Sequence, residues 1–122
     1  MSLSRTPEPT QPHTRRTLVE SLRISAVDFR CFAGIEPEGR EEPNPTHSIV
    51  FIRRGVFRRT HRGETLLADP NHILFFNASE PYRYSHPIAG GDDCTILAVA
   101  TPVALELVAQ HAPQYALKRR FI

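Results

Sequence analysis

The sequence predicts an all-β domain, and three observations predict it. From His47 to Val99 the chain consists of short apolar runs rich in β-branched and aromatic residues, each too short for a helix. They are Ser48-Ile49-Val50-Phe51-Ile52, Val56-Phe57, Leu66-Leu67, Ile73-Leu74-Phe75-Phe76, Tyr82-Arg83-Tyr84 and Thr95-Ile96-Leu97-Ala98-Val99. Between them lie Arg54-Gly55, Arg62-Gly63, Asp69-Pro70-Asn71, Asn77-Ala78-Ser79-Glu80-Pro81 and the segment from Pro87 to Asp93. Each supplies the positive-φ glycine, fixed-φ proline or Asx chemistry that a chain reversal needs. The reversals recur about every eight to twelve residues, the spacing of sandwiches and small barrels.

The 122 residues make one domain, large enough to bury about two thirds of the surface an unfolded chain exposes. Residues 1–17 hold Pro7, Pro9 and Pro12 among Ser, Thr, Glu and Gln. So little apolar surface cannot offset ordering entropy, and a flexible N-terminal arm is expected. From Leu18 to Phe32 an apolar stretch appears, with Val27, Phe29 and Cys31 on one face if extended. This reads as the first strand of a barrel spanning residues 18–100, entered through a helical turn. The segment from Gly34 to Pro45 has no periodicity and reads as a long loop between strands. Near the end, Tyr82, Tyr84 and His86 share one strand face, and Thr101-Pro102 supplies an N-cap and a first-turn proline for a helix stopped near Pro113. Residues 101–122 are this helix and a basic tail.

The formal charge is +2, with 15 Lys and Arg scattered among 13 acids. A nucleic-acid platform needs a denser basic stripe, so the charge reads as solubilising. No apolar run approaches the roughly 20 residues of a membrane span, and the N-terminus lacks a secretory apolar stretch. A cytoplasmic protein with no membrane partner is expected. Two cysteines, Cys31 and Cys94, are too few for a disulfide scaffold and fit a reducing compartment.

The order of strands, the Arg54-Gly55 and Gly63 turns, Ala68-Asp69-Pro70-Asn71, the strand ending Phe75-Phe76-Asn77, then Glu80-Pro81-Tyr82-Arg83-Tyr84 and Gly90-Gly91-Asp92-Asp93-Cys94-Thr95 resembles the N-terminal cupin domain of AraC-type transcription regulators. The resemblance covers about half the chain, from Ser48 to Val108. It implies a cupin double-stranded β-helix, a jelly-roll barrel, followed by one short C-terminal helix. It further implies an effector-binding and dimerisation domain, a homodimer that takes a small-molecule effector. DNA would be reached only through a C-terminal helix-turn-helix domain, for which the residues after Leu117 offer no room. Enzymatic cupins carry two histidines one residue apart, a glutamate and a later histidine. Here Glu42, Asn44 and Ser48 stand before Gly55, and Tyr82 stands at the later position. No catalytic residues are assigned, and the chain is expected not to be an enzyme. The alternative is a small stand-alone cupin enzyme, an isomerase or oxygenase.

Two sets of residues are candidate sites. Cys31, His47, His86 and Cys94 are the sulfur and imidazole donors that tetrahedral zinc prefers, although none shows close pair spacing. His86 and Cys94 flank a loop and would sit opposite each other in a hairpin, while Cys31 and His47 close another. These four either hold a structural zinc, or are buried thiols and strand-end histidines, or leave the cysteines paired as a disulfide. The barrel interior, lined on this reading by Phe51, Phe57, Phe76, Tyr82 and Tyr84, either takes a small ligand with a few polar groups or is a filled core.

Overall fold

The computed structural model describes residues 13–32 and 42–114. Nine strands are found among them: β1 (His13–Glu20), β2 (Ile24–Cys31), β3 (Glu42–Pro43), β4 (His47–Gly55), β5 (Phe57–His61), β6 (Glu64–Ala68), β7 (Ile73–Phe76), β8 (Pro81–Ser85) and β9 (Asp92–Val99), followed by helix α1 (Thr101–His111). They form two antiparallel sheets, a larger one in the order β1-β2-β9-β4-β7 and a smaller one in the order β3-β8-β5-β6. The expected all-β barrel with one helix is what the chain builds, and the fold is a cupin β-barrel.

Period-two alternation places the core. In β4, Ser48, Val50 and Ile52 are buried between the sheets while Phe51 and Arg53 face out. Val50 and Ile52 meet Phe57, Ala68, Leu74, Phe76, Tyr82 and Cys94 in one cluster, with Phe29, Leu66, Tyr84 and Ile96 packed at its margin. Helix α1 lies against the barrel through Val103, Ala104 and Val108, which pack with Val99, Ile49 and Leu107. Its cap is Ala100, one residue earlier than the expected Thr101, and Pro102 sits in its first turn. No helix among the described residues is long and apolar enough to cross a membrane.

The structure corrects three expectations about elements. Residues 13–17, assigned to a flexible arm, belong to β1 and pair in register with Val27 to Cys31 of β2; residues 1–12 lie outside the described residues. Every side chain from Thr14 to Glu20 is exposed, so β1 has no apolar periodicity to detect and is held by its backbone ladder. The supposed single strand from Leu18 to Phe32 is therefore a hairpin. Its reversal is built on Ser21, whose hydroxyl donates to Ile24 O at 2.8 Å and accepts from Ile24 N–H at 3.1 Å. Of the predicted long loop, residues 34–41 lie outside the described residues, while Glu42–Pro43 pairs with Pro81 and Tyr82 as β3.

A further correction matters most for the site. β8 and β9 do not form a hairpin: β8 pairs with β5 and β3, whereas β9 runs between β2 and β4 in the other sheet. The segment after His86 crosses from one sheet to the other and turns at Gly90 (φ 116°) and Gly91 (φ 67°). Two glycines make the crossing close. A Cβ on Gly91 would stand 1.9 Å from Cys31 O, and one on Gly55 would stand 2.2 Å from Gly91 O. Only glycine reconciles positive φ with that approach. Gly91→Ala is therefore expected to destabilise well beyond the roughly 1–2 kcal/mol of a left-handed alanine. Gly63→Ala, where the φ is 79° and nothing lies within 4 Å, should cost only about that amount. Urea unfolding of the two variants measures the difference.

Candidate functional site

The glycine crossing delivers three donor side chains to one end of the barrel. Register pairs Cys31 with Asp92 across β2 and β9, and Gly55 with Asp92 across β4 and β9. His86 reaches the same point from the end of β8, on the opposite sheet. Its Nε2 lies 3.4 Å from Cys31 Sγ and 3.3 Å from Asp92 Oδ2. One donor atom from each residue falls within 4.8 Å of the others, and all three residues are buried. Cys94, two residues along β9 on the same face, donates its thiol proton to the other carboxylate oxygen, Asp92 Oδ1, at 3.5 Å.

The electrostatics of this corner are those of a buried acid short of compensation. Burial pushes the Asp92 carboxyl above its ordinary range, partly opposed by the Cys94 thiol and His86. Asp92 Oδ2 has no well-formed hydrogen bond among the described residues, and its neighbour there is His86 Nε2 at 3.3 Å. Burial, reinforced by the Asp92 charge, raises the Cys94 thiol far above its usual value, so it stays protonated. The adjacent charges outside the barrel are already engaged: Arg54 Nε with Asp93 Oδ2 at 2.9 Å, and Arg53 with Asp28.

Of the four predicted zinc donors, Cys31 and His86 meet directly and Cys94 reaches them through Asp92, but His47 does not join them. His47 pairs with Val99, at the far end of β9 from Asp92. There its Nδ1 accepts the Ala78 N–H at 3.3 Å. It is a strand-end histidine bonded to backbone. The disulfide alternative also falls: both cysteines are free and buried, and their register makes them diagonal neighbours, about 7–8 Å apart at Cα, beyond usual disulfide reach. His86 and Cys94 do not face each other across a hairpin, because their strands belong to different sheets. Asp92, absent from the predicted donors, had one signal in the sequence. It alternates with Cys94, so any strand that buries the thiol buries the carboxylate.

The predicted ligand-lining set divides likewise. Phe51 points out of the barrel and is 38% exposed. Phe57, Phe76, Tyr82 and Tyr84 stay inside, with ring centroids of Phe76 and Tyr82 at 4.8 Å and of Phe57 and Tyr84 at 6.1 Å. Tyr82, standing where enzymatic cupins carry their later histidine, is 1% exposed, and its hydroxyl accepts the Asn77 N–H at 2.8 Å. His61 stacks on it at 4.4 Å. Arg59 lies over both Phe76 and Tyr82, at 5.3 and 5.8 Å from the ring centroids. Its Nε is shielded from solvent and makes no hydrogen bond among the described residues. Arg59 was missed because an arginine pair in a strand reads as surface charge.

No protein-family model matches the chain, and no curated protein matches it. Solved structures do. A cupin superfamily protein from Desulfitobacterium hafniense aligns with a TM-score of 0.59 at 15% identity, covering 77% of this chain and 83% of that one. The Cupin_2 domain of an XRE family transcriptional regulator from Enterobacter cloacae aligns at 0.58 and 16% identity, covering 74% and 98%. The polyketide cyclase RemF from Streptomyces resistomycificus aligns at 0.59 and 14% identity, covering 73% and 66%. The fold is thus shared by regulator domains and enzymes. This overturns the expectation that the chain is not an enzyme: a barrel that serves a cyclase does not exclude catalysis because familiar metal histidines are missing.

Two measurements check this geometry. Burial holds the His47 imidazole below its ordinary value, opposed in part by Glu80. A depressed folded-state value means its contribution to stability is full above the unfolded value of about 6.5 and is lost as pH falls through the lower, folded value. His47→Gln should accordingly lose less stability than wild type between about pH 7 and pH 5, measured by urea unfolding. Tyr82→Phe should cost about 1–2 kcal/mol by removing the acceptor for Asn77 N–H while keeping the ring.

Proposed function

We propose that the chain is the effector-binding and dimerisation domain of a transcription regulator of the AraC type, reaching DNA through separate helix-turn-helix units. The residues from Ser48 to Val108 that carry the family resemblance support this, as does the shared fold with a regulator's cupin domain. The two free thiols suit a reducing compartment such as the cytoplasm.

The observation that carries the reading is the aromatic layer of Phe57, Phe76, Tyr82 and Tyr84 with the Arg59 guanidinium over Phe76 and Tyr82, its shielded Nε making no hydrogen bond among the described residues. A buried donor over apolar rings favours a small planar ligand that brings an acceptor, a carboxylate above all. Tyr82 is engaged in the wall, so such a ligand would meet Arg59 and Tyr84. A benzoate-type acid is the simplest probe of this chemistry.

A second, catalytic reading has its own observation: an imidazole, His86, touching both a thiol and a carboxylate. Its geometry is poor for a relay, because Cys31 Sγ and Asp92 Oδ2 both approach Nε2, whereas a nucleophile–base–acid series uses the two ring nitrogens separately. The regulatory reading is therefore preferred.

Fused to a DNA-binding domain that represses only as a dimer, the chain should confer repression, and benzoate-type acids should change it. Arg59→Ala should abolish the response while leaving repression itself in place. A fusion that never represses and sediments as a monomer sinks the reading.

A further inference from the structure

We propose that Cys31, His86 and Asp92 form a three-ligand site for a thiophilic divalent cation, zinc in the first instance, with Cys94 positioning the carboxylate. This differs in place and composition from the expected four-donor set: His47 is absent, Asp92 enters, and Cys94 moves from ligand to support. It goes beyond the regulatory reading and stands whether the barrel serves a regulator or an enzyme.

Three independent features point to an ion. The first is the spacing of the donors. Zinc binds sulfur at about 2.3 Å and nitrogen or oxygen at about 2.0–2.1 Å, so a tetrahedral centre sets edges of about 3.5 Å between S and N and about 3.3 Å between N and O. The observed separations are 3.4 Å and 3.3 Å. Two of the three edges therefore match those of a ligated tetrahedron, and the third, between the Cys31 and Asp92 donors, is no longer than 4.8 Å.

The second feature is the unpartnered oxygen. Asp92 is 2% exposed, and its Oδ2 has no well-formed hydrogen bond among the described residues, only His86 Nε2 at 3.3 Å within the cluster. A buried carboxylate oxygen left in that condition is costly, and a cation supplies what it lacks. The other oxygen, Oδ1, is held by the Cys94 thiol. That arrangement orients the acid and leaves one oxygen available, as outer-sphere partners of metal ligands do.

The third feature is charge. A thiolate at Cys31, a carboxylate at Asp92 and a neutral imidazole at His86 carry two negative charges together, which a divalent ion neutralises inside a buried corner. The three ligands come from β2, β9 and the end of β8, so a bound ion ties the two sheets together at this end of the barrel. The fourth position is left for water or an exogenous donor, as in open three-ligand zinc sites.

Purified chain, stripped with a chelator and dialysed against zinc chloride alone, is expected to hold close to one zinc per chain by metal analysis and to melt at a higher temperature than the stripped form. Cobalt substitution should give a sulfur-to-metal charge-transfer band from one thiolate. Cys31→Ser, His86→Gln and Asp92→Asn should each lose the ion, with the cobalt band abolished in Cys31→Ser. Cys94→Ser keeps a hydroxyl donor for Asp92 and should keep the stoichiometry, while Cys94→Ala should weaken affinity about tenfold or more. His111→Gln, on the exposed end of α1, should bind as wild type.

A stripped wild type that takes up no zinc, or a Cys31→Ser or Asp92→Asn variant that retains it, overturns the site. Loss of the ion in Cys94→Ser overturns the three-ligand assignment. Should a substituted chain not fold, the cobalt spectrum of the wild type decides alone: absence of the sulfur band refutes the proposal. Zinc uptake together with a silent dimerisation reporter would leave this site standing and remove the regulatory reading, so the two fail separately.

Discussion

The close passage of Gly91 over the end of β2 is the contact on which this end of the molecule depends. Strand β9 can lie between β2 and β4 only if the chain arriving from β8 drops from one sheet into the other within a few residues. It does so by bringing the Gly91 backbone against Cys31 O and the Gly55 backbone against Gly91 O, at distances no Cβ tolerates. Once that crossing is made, register does the rest. Asp92 falls opposite Cys31 and Gly55, Cys94 falls opposite Phe29 and Ile52, and β9 is paired along both edges. The chemistry at the barrel's end is thus a consequence of backbone packing.

Two polar centres emerge inside one small barrel, and they differ in kind. Around Tyr82 the hydroxyl is satisfied within the wall by Asn77 N–H, while Arg59 lies over two rings with a shielded Nε that makes no hydrogen bond among the described residues. Around Asp92 the donors converge on a point, and one carboxylate oxygen is left over. A satisfied network stabilises a single structure, whereas an unsatisfied buried oxygen marks a position built for something added.

The comparison of Tyr82 with enzymatic cupins shows how one substitution redirects a fold. A histidine at this position offers a lone pair to a metal; a tyrosine offers a hydroxyl that here accepts a backbone amide, and a ring that fills the space. The shared barrel therefore says little about activity by itself. Proteins alike in fold at 14–16% identity include a regulator's domain and a cyclase, and what distinguishes them is carried by particular side chains.

Much of the fold was legible because period-two alternation and turn residues are local. The strands from Ser48 to Val99 announced themselves by β-branched and aromatic runs, and the helix by Thr101-Pro102. β1 was not legible, since its side chains from Thr14 to Glu20 are exposed and it is tied to β2 by the backbone ladder and by His13 and Arg15 over the Phe29 ring. Phe51 was misplaced because two consecutive aromatics or aliphatics around it hide which parity faces inward. By itself the sequence determined that the chain reverses into an all-β domain, and that Cys31, His47 and His86 sit at strand ends. Which of them meet was decided only by tertiary structure. Hydrogen-bond register and the sheet-to-sheet crossing at Gly91 bring Cys31, His86 and Asp92 together from elements up to 61 residues apart while sending His47 to the opposite end, and neither is encoded in local periodicity.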